Sequence, residues 1–418
     1  MISSPSSERT LFVWSLVIYF CNGVAFGVFA NSDVIATRTL HASTLDITIL
    51  MFLLNTSLIF SLPLVRYLNI GIVFRRRLTR MAWICTVPLF VYPLIPSVPT
   101  FIAAVFAVHL LNTILPPVMN RLYDRHVKQN VGRLYGWATS LKILASMSAA
   151  FATGWLLDRN EQFYIPLLSG AAGLAFLSIH LLTRMEPTVD TQPKASFWYH
   201  LGTTAACIRD VLTQDAHFMR FERNFIIYGL GFLMLTPVIP LYLVRELHLD
   251  YSVISFSRQV VGQFALWVFS PVAGLWFDRT NPFRFTGFSF FILVGFPILL
   301  AMTKFFPAHT TMIVIFAYAL QSIAMTGIFI AWNIGSIRFA HQAEPGLYQG
   351  VHVTLTGVRS ILGPIFGWAV LQTLGYFAAF LIATGLFAVA TLLMLWDPAR
   401  NHPLYRGATV PLPNQSQR

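Results

Sequence analysis

Twelve apolar stretches run through this 418-residue chain, and its Lys and Arg residues fall almost entirely in every second gap between them. The stretches are 11–30, 45–65, 81–97, 100–120, 135–157, 163–183, 224–244, 253–275, 285–303, 310–333, 348–373 and 375–396. A helix crosses the hydrocarbon core of a bilayer with about 20 apolar residues, so each stretch reads as one crossing. The third is short, and Pro96 and Pro99 are predicted to end it. Barrel strands would instead show segments of about 10 residues with alternating polarity. Only 11% of the residues are charged, against about 25% in a soluble domain. The expected class is an all-α polytopic membrane protein.

The gaps set the orientation. Arg38, Arg159, Arg245 and Lys304 lie on one side, and Lys142, Arg258 and Arg359 lie inside spans. All the remaining Lys and Arg residues, including Arg75, Arg76, Arg77 and Arg80, collect on the other side together with both termini. Positively charged loops stay in the cytoplasm, so both termini are predicted to be cytoplasmic, as in a multi-pass protein of a bacterial inner membrane. The net charge of +12 is therefore a topology signal and makes no case for nucleic acid as a partner. The first apolar run lacks a small-residue cleavage pattern and reads as a retained span. Cys21, Cys85 and Cys207 are scattered and suggest neither a disulfide framework nor a metal site.

The longest polar stretch, 184–223, divides the chain into six spans and six. The expected organisation is an N-terminal bundle over 1–183, a cytoplasmic linker over 184–223, a C-terminal bundle over 224–397 and a tail over 398–418. Within the linker, Phe197, Leu201, Ala205, Ile208 and Leu212 recur at helical spacing, which fits an amphipathic surface helix or a plain linker. The halves also match each other. Arg38-Thr39-Leu40-His41 follows the first span and Arg245-Glu246-Leu247-His248 the seventh, 207 positions later. His126 and Gly132-Arg133-Leu134-Tyr135-Gly136 precede the fifth span, as His341 and Gly346-Leu347-Tyr348-Gln349-Gly350 precede the eleventh. A parallel repeat of six spans, related by an axis along the membrane normal, is an architecture of secondary transporters.

On these features the chain resembles the major facilitator superfamily. Gly274-Leu275-Trp276-Phe277-Asp278-Arg279, at the predicted cytoplasmic end of the eighth span, is similar to the Gly-x-x-x-Asp-Arg motif of that family. The resemblance implies a gating role for Gly274, Asp278 and Arg279, with Asp278 as the latch of the cytoplasmic gate. It also implies twelve helices in two six-helix bundles related by a pseudo-two-fold axis, working by alternating access. The first-half counterpart, Leu64-Val65-Arg66-Tyr67, has neither Gly nor Asp. Gly154-Trp155-Leu156-Leu157-Asp158-Arg159 repeats the pattern on the predicted outer side, where it reads as a helix end with an interfacial ion pair or as a second gate. Gly363-Pro364-Ile365-Phe366-Gly367 resembles the family's antiporter motif but sits in the eleventh span rather than the fifth. There it is read as a bend with close packing.

Charges inside the spans carry the functional argument, since each costs at least ~2.5–3.5 kcal/mol near the bilayer centre. Arg359 lies about 16 Å into the eleventh span at 1.5 Å per residue, close to the midplane. His352, Thr356 and Arg359 share one helical face. Lys142 occupies the equivalent region of the fifth span, as a cavity residue or as a lysine snorkelling to the surface. Arg258, near the outer end of the eighth span, has the same two readings. His109, Asn112 and Gln321 are further cavity candidates, each with the alternative of a plain interhelical hydrogen bond of about 0.6 kcal/mol. The spans contain few acids, and Asp33 and Asp46 sit near the outer surface. Deep charges that are positive favour an anionic substrate held by Arg and Lys, although Arg359 could instead pair with Asp33 or a backbone carbonyl.

The function expected from the sequence is secondary transport of a small organic or phosphorylated anion. Arg359 and Lys142 would bind it, with Arg258, His352, Thr356, His109, Asn112 and Gln321 around them. His352 or His109 would carry a coupling proton. No cofactor or metal is implied beyond a coupling ion, H+ or Na+, and the expected partners are the substrate and the bilayer, with the chain a monomer. The rival is a proton-coupled efflux pump for amphipathic or toxic compounds. A membrane enzyme or a receptor has less support, because the sequence has no phosphate-binding loop and no soluble catalytic domain.

Overall fold

The computed structural model describes residues 5–68, 74–126, 131–184, 208–340 and 345–401. Among these residues every regular element is helical, as lipid demands: a spanning segment must satisfy each backbone N–H and C=O within itself. The helices are α1 (Pro5–Phe29), α2 (Ser32–Arg38), α3 (Thr44–Leu68), α4 (Phe74–Val91), α5 (Val98–His126), α6 (Val131–Arg159) and α7 (Tyr164–Arg184). There follow α8 (Ala216–Leu241), α9 (Tyr251–Ser255), α10 (Gly262–Arg279), α11 (Pro282–Met302), α12 (Thr310–Ile330) and α13 (Pro345–Leu395). Eight helical stretches among the described residues are long and apolar enough to cross a membrane, and shorter apolar stretches cover Thr44–Ser57 and Val98–Thr113. The chain is a multi-pass integral membrane protein.

Breaks in the helices follow from local chemistry. Tyr92–Leu94 forms a 3-10 turn after α4, just before Pro96. α13 runs for 51 residues but is broken at Gly375, with φ 79° and ψ −179°. Only glycine adopts that conformation readily, and it falls where the eleventh and twelfth stretches of the sequence meet. Wide, π-type turns over Tyr242–Glu246, Phe256–Val261 and Ala331–Gly335 re-aim the helices around them. Of the predicted linker helix, 208–214 is helical, whereas Phe197, Leu201 and Ala205 lie outside the described residues. Asp215 then caps α8, its carboxylate accepting from the backbone N–H groups of His217 and Phe218 at 3.0 and 2.9 Å.

The chain forms two compact units. The first joins Met1–Phe197 to Thr236–Gln263 and Pro364–Ala369. Its core includes Ile18, Tyr19, Leu78, Cys85, Leu111, Met119, Ala138 and Ile179. α1 crosses α6 at very short range: a Cβ on Gly23 or Gly27 would collide with the backbone of Lys142 or Ser146. Two small residues four apart let the helix backbones touch. The second unit joins Trp198–Leu235, Phe264–Gly363 and Val370–Arg418. Its core is a run of rings, with Phe221 against Phe225 at 5.0 Å, Phe225 against Phe290 at 5.4 Å and Phe290 stacked on Tyr228 at 4.4 Å.

The sequence repeat is also a repeat of geometry. His41 and His248 share a φ of 49° and are the non-glycine residues with positive φ among those described. Before His41 the Leu40 N–H reaches the Ile35 carbonyl, and after it the Ala42 N–H reaches that of Ala36. Leu247 reaches Tyr242 and Leu249 reaches Leu243 in the same way around His248. Each helix therefore ends on a left-handed residue whose neighbours satisfy the last carbonyls. The two ends contact each other reciprocally within the first unit: Arg38 donates to the Leu249 carbonyl, and Arg245 to that of Ala42. Leu249 is the repeat equivalent of Ala42, 207 positions on, so each arginine of the repeat donates to the carbonyl that matches its partner's.

Candidate functional site

In the second unit, α8 and α13 bring together three of the predicted residues and one that was not predicted. His352, Thr356 and Arg359 line one face of α13, and Glu222, Phe225 and Tyr228 recur every three residues along α8. Arg359 is 6% exposed. One terminal nitrogen donates to the Phe225 carbonyl at 2.6 Å and the other to the Thr356 hydroxyl at 3.0 Å. Its guanidinium also lies 5.6 and 5.8 Å from the ring centres of Phe225 and Tyr228, within cation–π range. Gly229 makes room for it, since a Cβ there would strike the arginine side chain. Among the described residues no carboxylate forms an ion pair with Arg359.

The nearest acid, Glu222, is engaged elsewhere. His352 Nδ1 contacts its two carboxylate oxygens at 2.8 and 3.0 Å, and the side chains are 0% and 2% exposed. With Nδ1 facing a carboxylate, that nitrogen carries the ring proton. His352 Nε2 is then a buried basic nitrogen without a hydrogen-bond partner among the described residues. Thr356 ties the cluster together. Its hydroxyl accepts from Arg359 and from the Trp332 indole at 3.1 Å, and donates to the His352 carbonyl at 3.0 Å. The arrangement can do two things: hold a proton on the Glu222–His352 pair and hold negative charge against Arg359.

The first unit holds Lys142, His109 and Asn112. Lys142 is half-buried on α6 with its ammonium 5.6 Å from the Phe26 ring centre, and it has no ion pair among the described residues. Asn22 donates to Asn112 at 2.8 Å, linking α1 to α5. His109 is half-buried on α5. Arg258 belongs to this unit too, and it is not solitary. Its guanidinium meets the Asp33 carboxylate at 2.6 and 2.9 Å and donates to the Ala30 carbonyl. Gln321 lies half-buried on α12 of the second unit, away from these groups in sequence.

At the end of α10, Asp278 is exposed and accepts from Arg338 at 3.1 Å, while Arg338 also covers the Phe277 ring at 4.9 Å. Arg279 is exposed, and the space beside Gly274 is open. The look-alike motif in the first unit is more deeply engaged. Asp158 accepts from the backbone N–H groups of Tyr251 and Ser252 at 2.8 and 2.9 Å, capping α9 from another helix. Gly154 allows that approach, and Arg159 stacks on Trp155 at 3.6 Å. With Arg38, Arg245, Arg258 and Asp33, this ties α2, α6 and α9 together at the predicted outer end.

The spans, the internal repeat and the buried charges define a helical, multi-pass membrane protein, and its fold is similar to those of known transporters. A mutant of the nucleoside transporter NupG superposes with a TM-score of 0.74 at 13% identity, covering 92% of this chain and 99% of the other. A POT family transporter in complex with a thioalcohol-conjugated peptide gives 0.66 at 14% identity over 93% and 95%. A D-xylose–proton symporter gives 0.62 at 13% identity over 96% and 100%. No curated protein matches the sequence. The family model of the Major Facilitator Superfamily matches residues 224–413, so the C-terminal part of the chain is similar to that superfamily.

Glu222 is the residue that sequence reasoning missed. It sits among Arg220 and Arg223, which pulled the predicted boundary of the seventh span to 224, whereas the helix begins at Ala216. One signal was available: Glu222, Phe225 and Tyr228 share a helical face, with the acid continuing an apolar stripe.

Proposed function

We propose that this protein is a proton-coupled secondary transporter of a small organic or phosphorylated anion, and that Arg359 is the cation that contacts it. Its spans are read as twelve, in two six-helix bundles related by a pseudo-two-fold axis, with both termini cytoplasmic in a bacterial inner membrane. The observation that carries the reading is a buried arginine with no carboxylate of its own beside a buried acid–histidine pair. With His352 neutral, the charge of Glu222 opposes that of Arg359. A proton on His352 Nε2 neutralises the pair internally and leaves the charge of Arg359 free for the substrate, so proton and anion bind together. Lys142, the equivalent cation of the first unit, is the second contact to test. Alternating access around such a site is how secondary transporters work.

Uptake of a panel of organic and phosphorylated anions into proteoliposomes tests this. The Arg359→Ala variant is expected to lose uptake of the transported anion by 100-fold or more on the order of a desolvated, charge-assisted bond. Arg359→Lys should keep part of it, having charge but no fork. Undiminished uptake by both removes Arg359 from the site. One observation favours a second reading, efflux of amphipathic cations: the carboxylate of Glu222 is itself buried. Resistance to toxic cations on overexpression, lost in Glu222→Gln, would select it.

A further inference from the structure

We propose that the second unit carries a binding site for an anionic phospholipid at the predicted cytoplasmic end of α8 and α13. The site is a cavity of about 380 Å³ with a charged rim and an apolar wall. Arg220 and Arg223 form the rim, and Val389, Leu392 and Trp396 the wall. The wall faces outward: Val389 is 46% exposed, Leu392 42% and Trp396 71%. In a multi-pass protein such a surface meets acyl chains, and an exposed Trp at a helix end sits at headgroup level. Lipid chains therefore have continuous access to the cavity, and the guanidinium groups lie where a phosphate would be.

The hydrogen bonds select the headgroup. Arg220 is held in place, its Nε donating to Asp397 at 2.9 Å and one terminal nitrogen meeting His217 Nδ1 at 2.9 Å. Among the described residues Arg223 bonds through Nε alone, to Asn224 at 3.3 Å, which leaves both terminal nitrogens for a bidentate phosphate contact. The one acid in the rim, Asp397, is already occupied. One oxygen accepts from Arg220, and the other accepts from the Ala399 N–H at 2.8 Å. With its side chain 2% exposed, this carboxylate is turned inward and presents little surface to the ammonium of a zwitterionic headgroup. The rim is net positive at the predicted cytoplasmic face, where basic pockets between helices select anionic lipids.

Thermal stabilisation of the purified full-length protein in neutral detergent tests the site, with phosphatidylglycerol, phosphatidylcholine and inorganic phosphate as separate additions. Phosphatidylglycerol should raise the melting temperature with saturation, and the other two should not. Arg223→Gln should raise the half-saturating concentration of phosphatidylglycerol about five- to tenfold, as expected for one arginine–lipid contact. Arg223→Lys should fall between. Neither variant removes a contact that holds a helix in place. Equal stabilisation by phosphatidylcholine, stabilisation by inorganic phosphate alone, or an unshifted titration in Arg223→Gln would each overturn the proposal.

Discussion

Two arginines lie inside this protein's spans, and their surroundings are opposite. Arg258 is matched by a carboxylate, with both Asp33 oxygens and the Ala30 carbonyl on its guanidinium. Arg359 is more deeply buried and is held by a carbonyl, a hydroxyl and two ring faces. A paired charge in a low-dielectric setting has little left to offer a ligand. A charge solvated only by dipoles keeps most of its field. On the proposed reading Arg258 holds helices together, whereas Arg359 serves the substrate.

Breaking each environment in turn should separate them. Asp33→Asn leaves Arg258 without its counter-charge and is expected to destabilise the protein by about 3–5 kcal/mol, seen as a lower midpoint in thermal or denaturant unfolding in detergent. Thr356→Val removes one acceptor from Arg359 and one from Trp332, and should cost about 1–3 kcal/mol. The loss of uptake in Thr356→Val should exceed what its stability explains, because the guanidinium loses its aim. Glu222→Gln keeps an acceptor for His352 Nδ1 and should change stability by only about 0.5–1.5 kcal/mol. It should nevertheless flatten the pH dependence of uptake. If Asp33→Asn impairs transport with no loss of stability, the division between the two arginines fails.

Much of this molecule was legible in its sequence because lipid leaves a helix few choices. Apolar run lengths marked the long helices, eight stretches of which among the described residues could cross a membrane, and Gly375 falls at the junction read between the last two runs. The four-residue match around His41 and His248 foretold a shared helix ending, since both segments must satisfy the same terminal carbonyls. What was not legible depended on partners distant in sequence. Asp158 looked like a surface ion pair until Tyr251 and Ser252 were placed on it. Glu222 looked like part of a charged loop because hydropathy cannot tell a solvated acid from one pressed against a histidine. The Gly23–Gly27 crossing is not legible either, because two glycines four apart in an apolar run do not announce which helix they meet.

On the proposed reading a proton on His352 frees Arg359 for an anion. The most direct test is the affinity of the purified protein for its transported anion as a function of pH, measured in wild type and in His352→Gln. Affinity should strengthen as pH falls in wild type and be independent of pH in the variant. An equal pH slope in both proteins would contradict the claim.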